Sequence, residues 1–187
     1  YNISLIMSLL TNAINLAFVP SLFNSLKSKK YENVKKNSTY IVLIAAGLTF
    51  VAILLGPELI KIFAPVEYYD AIWIIPPVSM SVYFIAVYGL FVNIEFYYEK
   101  TSYAMYVSVT GALINILLNW LFITKYGYMA AGYTTVFCYI LFTIGHYLMY
   151  KYLNKRYLNK VDIVNTKIIF LISVSLIILM FLGIVLY

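Results

Sequence analysis

The chain has 187 residues, of which 64% are hydrophobic, 18% aromatic and only 11% charged. Soluble domains carry about a quarter charged residues, so a soluble globular domain, a disordered chain and a nucleic-acid binder are excluded. The apolar residues form long uninterrupted runs and the net charge is +6, the pattern of an all-α, polytopic helical membrane protein rather than an outer-membrane barrel.

Six spans are predicted in chain order: A over 1–26, B over 39–63, C over 71–98, D over 102–124, E over 128–150 and F over 166–187. The separators are a polar run over 27–36, the helix-breaking Ala64-Pro65, the corner Glu99-Lys100-Thr101, the turn Lys125-Tyr126-Gly127 and a charged linker over 151–162. The chain starts at Tyr1, already inside a span and with no cleavable signal before it, so a fragment of a longer protein is expected.

Basic residues set the expected orientation. Lys27, Lys29, Lys30, Lys35 and Lys36 lie between A and B, and Lys100 lies between C and D. Lys151, Lys155, Arg156, Lys160 and Lys167 lie between E and F. That makes eleven on alternating loops, against only Lys61 and Lys125 on the other side. The positive-inside rule then places loops 27–38, 99–101 and 151–165 in the cytoplasm of a bacterial cell with a multi-pass cytoplasmic membrane protein. Most of the 20 tyrosines fall near span ends, as an interfacial belt requires, whereas Tyr83, Tyr88 and Tyr139 lie deeper.

Polar residues at membrane depth mark where protein or water, not lipid, is faced. In span A, Ser4, Ser8, Thr11, Asn12 and Asn15 fall within a sector about 100° wide at 100° per residue, which suits a hydrated transport cavity. In span D, Ser108, Gly111, Asn115 and Asn119 share a face, and packing between helices is weighed ahead of ligand contact there. Span C holds Glu95, with Asn93 beside it and Tyr88 on its face; it is either a proton or cation site or a carboxylate that reaches the interface and pairs with Lys100. Span E carries a stripe of Thr135, Tyr139, Phe142 and His146, the one histidine, read first as a packing residue and second as a proton relay. Span F, with Ser173 and Ser175, reads as a lipid-facing helix. Pro20 and Pro76-Pro77 are expected to bend spans A and C. Cys138 is alone, so no disulfide or cysteine metal site is expected, and no cofactor motif is present.

These features, taken in order, resemble the C-terminal half of polysaccharide (lipid-linked oligosaccharide) flippases in the multidrug/oligosaccharidyl-lipid/polysaccharide exporter superfamily. The resemblance covers residues 1–153. It rests on Val-Pro-Ser-Leu-Phe over 19–23, Gly-Pro-Glu-Leu-Ile-Lys-Ile-Phe-Ala-Pro over 56–65, Glu67-Tyr68-Tyr69-Asp70-Ala71 and Phe96-Tyr97-Tyr98-Glu99-Lys100-Thr101. Asn115 and Asn119 follow, and then Tyr126-Gly127-Tyr128-Met129-Ala130-Ala131-Gly132, where the family has Gly-Ala-Ala.

The resemblance implies two lobes and about fourteen helices. Residues 1–153 would be five helices of the C-terminal lobe, 154–165 a cytoplasmic basic linker and 166–187 an additional helix. The N-terminal lobe would be missing. The implied activity is non-enzymatic flipping of lipid-linked glycan precursors for capsule, O-antigen or exopolysaccharide by alternating access. The implied partners are the lipid bilayer, the glycan substrate, a coupling ion (H+ or Na+) and the missing lobe. Cavity candidates are Ser8, Thr11, Asn12, Asn15, Tyr88, Glu95, Asn115, Asn119, Tyr139 and His146, with no catalytic residue and no metal site. Two alternatives are an ion-coupled small-molecule exporter of the same superfamily and, ranked lower, a membrane glycosyltransferase or glycan polymerase, for which the outside loops are too short.

Overall fold

The computed structural model describes residues 2–186, with side chains described from residue 5 to residue 184; the Ser4 side chain lies outside the described residues. Six α-helices follow one another: α1 (Asn2–Lys27), α2 (Tyr31–Phe63), α3 (Ile75–Tyr97), α4 (Thr101–Tyr126), α5 (Ala130–Tyr157) and α6 (Thr166–Leu186). A 3₁₀ segment, Val66–Ile74, precedes α3, and there is no strand among the described residues. Helices α1 to α4 and α6 are long and apolar enough to cross a membrane; α5 is long enough but more polar.

Three boundaries differ from expectation. Helix α2 begins at Tyr31, eight residues before the predicted start of span B. Its basic first turns hold good helix formers, and Val34 and Ser38 are buried on its inner face. Helix α5 likewise runs to Tyr157 through the first part of the predicted linker, because Leu153 and Asn154 keep its inner face buried. What remains of that linker is no free tether: Leu158, Ile163 and Val164 fold back into the core. Pro76 and Pro77 do not bend a span. They sit in the first turn of α3, where a missing N–H costs nothing, so the helix starts there.

Helix α3 is the axis. Its buried residues cover all but one stripe of the helix, with Met80, Tyr83, Val87, Leu90, Phe91 and Ile94 among them. Helices α1, α2, α5 and α6 pack around it, and α4 sits outside on α5. Lipid tails are as apolar as leucine, so such a bundle is held by close packing and hydrogen bonds rather than by hydrophobic burial. Small residues supply the close approach: Gly132 faces Pro77 and Val78, and Gly56 faces Ile75. Helix α6 is not merely lipid-facing. Ile169, Leu176 and Met180 are buried against the bundle, and the Tyr83 hydroxyl lies 3.0 Å from Ser173 Oγ.

One end gathers the basic residues and an aromatic cluster. Phe23 of α1 meets Tyr97 edge-on at 5.4 Å, and Tyr98 stacks on Tyr157 of α5 at 4.7 Å. Tyr98 is pushed up to about 12, first by burial and then by neighbouring Tyr31, Tyr97 and Tyr157. Tyr150, read from sequence as interfacial, is buried in the core at 5.3 Å from Phe91.

Candidate functional site

Among the half-exposed residues of α3, Ile85, Tyr88, Gly89 and Val92 fall on one helical stripe. Helix α1 covers one edge of that stripe and α5 the other, while α1 shares no extended interface with α4 or α5. The stripe is therefore the floor of an open groove.

The α1 wall is polar. Asn93 Nδ2 of α3 donates to Asn15 Oδ1 at 2.7 Å, which fixes which flank of α1 meets the groove. At 100° per residue, Ser8 and Asn12 lie on that same flank, Ser8 half-buried and Asn12 exposed. Asn12 lies fifteen residues before Lys27 at the basic end of α1, about 22 Å along the axis and within the apolar length of the helix. Thr11 turns inward, and its hydroxyl donates to the Met7 carbonyl at 2.8 Å. Replacing Asn15 with leucine strands the buried Asn93 amide. The expected loss is about 1 kcal/mol in reversible unfolding from detergent micelles, and Asn15→Asp should restore most of it.

The α5 wall is aromatic and ends in an ion pair. Tyr88 stacks on Tyr139 at 6.0 Å and on the His146 ring at 5.6 Å, with Phe142 at 5.8 Å. His146 Nδ1 then lies 2.9 and 3.1 Å from the two carboxylate oxygens of Glu95. Both side chains are buried, at 1% and 0% exposure. This overturns the interfacial reading of Glu95. Lys100 meets Glu95 only through the backbone: its N–H donates to the Glu95 carbonyl at 2.8 Å, closing the end of α3 with Glu99 at φ 56°. The carboxylate itself turns inward to the histidine.

His146 Nε2 is buried without a hydrogen-bond partner. Magnitudes decide the state of the pair. An unneutralised buried ion costs several kcal/mol, whereas an orphaned N–H costs about 1–3 kcal/mol. The arrangement with zero net charge, which leaves Nε2–H unpaired, is the cheaper one.

The span D asparagines are not in this groove. Asn119 Nδ2 donates to Asn115 Oδ1 at 3.0 Å, Asn115 Nδ2 to Cys138 Sγ at 3.5 Å, and the Thr134 hydroxyl to Asn119 Oδ1. The first lies within α4, and the other two link α4 to α5. Asn93 and Thr134 complete the polar contacts, and no sequence signal marks Thr134 as the partner of a residue on the preceding helix. Two clefts, of about 490 and 650 Å³, lie elsewhere, between α4 and α5 and between α5 and α6; their walls are almost wholly apolar, so they suit acyl chains better than polar chemistry. Among the described residues no group of three or more His, Cys, Asp or Glu is placed to hold a metal ion. No family model, curated protein or solved structure matches the chain.

Proposed function

We propose that the chain is part of a membrane transporter that moves lipid-linked oligosaccharide or polysaccharide precursors across a bacterial cytoplasmic membrane by alternating access. In this reading α1 to α5 are one lobe of a two-lobed exporter of the multidrug/oligosaccharidyl-lipid/polysaccharide type, α6 is an additional helix, and the basic end faces the cytoplasm. The observation that carries it is the groove. Asn12 and Asn15 stand within the apolar length of α1 on a flank that the bundle leaves uncovered, opposite Tyr88 and Tyr139. Amides that donate and accept suit sugar hydroxyls, and a polar flank in hydrocarbon is costly unless a partner or water covers it. An exporter of small molecules coupled to an ion is the second reading, favoured by the buried Glu95–His146 pair.

The test is deletion of the gene, followed by localisation of the lipid-linked glycan. Accumulation on the cytoplasmic face, reversed by the wild-type gene but reduced at least tenfold in rescue by an Asn12→Leu, Asn15→Leu variant, is the expected result. An intact surface glycan with altered drug resistance would favour the second reading.

A further inference from the structure

We propose that Glu95 and His146 form a proton-binding site that locks α3 to α5, holding one proton between them at neutral pH and releasing the helices when that proton leaves. The inference stands on the α3–α5 seam alone and does not require the glycan reading.

Three observations converge on it. The two side chains are 51 residues apart in sequence, yet Nδ1 reaches both carboxylate oxygens, and the pair is the one ion pair among the described residues. Both groups are removed from solvent. The second ring nitrogen has no partner. If the carboxylate is ionised and the imidazole neutral, Nδ1–H donates, Nε2 is bare and the seam carries a net charge of −1. Adding one proton gives either imidazolium with carboxylate or neutral imidazole with carboxylic acid. Both are net neutral, and both place a hydrogen on Nε2. Loss of the proton leaves an anion between two packed helices with no cation to balance it.

The surroundings leave the pair to itself. On α3 the titratable neighbours are Tyr88, stacked on the imidazole, and Glu99, one turn beyond Glu95 at the corner. On α5 Tyr139 stacks on Tyr88, and Tyr147 and Tyr150 follow His146 within one turn. From α4 the Tyr103 hydroxyl donates to the Gly145 carbonyl at 3.0 Å. Lys100, at the corner, contributes its backbone N–H. On the α1 side the neighbours are the neutral Asn15 and Asn93. Helices α2 and α6 meet α3 on its opposite side, through Ser79 and Tyr83. With one carboxylate and one imidazole, the donor set is too small for a metal cation and suits a proton.

The chain contains a single histidine, so ¹⁵N-histidine labelling of the protein in lipid nanodiscs, freed of any affinity tag, yields His146 without assignment. An infrared difference between wild type and Glu95→Gln reports the carboxyl group. At neutral pH the expected result is one of two combinations: both ring nitrogens protonated with a carboxylate band, or Nε2 alone protonated with a carboxylic acid band. A bare Nε2 with a carboxylate band overturns the proposal. The lock is read by electron–electron distances between labels at Phe96→Cys and Leu148→Cys, both exposed, in a Cys138→Ala background. Alkaline pH should broaden the distance distribution in wild type and leave a Glu95→Leu, His146→Leu variant unchanged. Equal broadening in both, or in neither, overturns the lock.

Discussion

Replacing His146 with leucine is expected to cost about 3 kcal/mol of bundle stability. The substitution removes the one side-chain partner, among the described residues, of a carboxylate that is fully buried. Breaking a buried pair from one side costs about 3–5 kcal/mol, and an acidic group held at membrane depth costs about 2.5–3.5 kcal/mol by insertion scales. The lower figure applies, because Glu95 can escape part of the penalty by taking up a proton. Replacing both residues with leucine should behave otherwise. Two apolar side chains of similar volume leave no charge to compensate, so the double variant is expected within about 1 kcal/mol of wild type, or above it. Reversible unfolding of the purified chain in mixed micelles measures all three variants. If His146→Leu falls by less than about 0.5 kcal/mol, the pair does not hold α3 to α5. If the double variant is as unstable as the single one, volume and not charge is the cause.

The pair also shows where sequence reading stops. Glu95 and His146 were each visible as the ionisable residue of their span, and spans C and E run in the same direction, so their depths were comparable. Nothing local joins residues 51 apart, and the nearer Lys100 offered a simpler partner. In the structure Lys100 meets Glu95 through its backbone N–H, while the carboxylate turns to His146.

Span A was more legible. Its polar sector follows from the 100° rotation per residue, and Asn15 alone is enough to orient that sector toward α3. The helix ends were the least legible part. Hydropathy marks the membrane, not the helix, so α2 and α5 outrun their apolar segments by several residues at the basic end. Pro76 and Pro77 misled for a related reason. A proline inside an apolar run can open a helix as well as bend one, and only the preceding 3₁₀ segment decides which.

The second large effect is expected at Gly111. Helix α4 is fixed to the bundle along a narrow seam, with only Ala104 and Gly111 buried. A Cβ on Gly111 would run into the ring of Phe142, with Val107 already close to Gly145 one turn away. The ring is not free to yield, because it packs on Tyr88 and Tyr139 at 5.8 and 5.7 Å. Gly111→Ala should therefore lose about 1–3 kcal/mol, and Gly111→Val more, through overpacking. Two controls separate this clash from helix propensity. Gly47 in α2 has open space where a Cβ would sit, so Gly47→Ala should stabilise by up to about 1 kcal/mol. Phe142→Ala removes the obstacle, so Gly111→Ala added to that background should cost almost nothing, giving a coupling energy of about 1–3 kcal/mol in the double-mutant cycle. A Gly111→Ala variant as stable as wild type would mean that α4 and α5 do not meet at this close approach. Because the same ring abuts Tyr88, the damaged variant should also disturb the single ¹⁵N-histidine signal of His146, and the Gly47→Ala control should leave that signal in place.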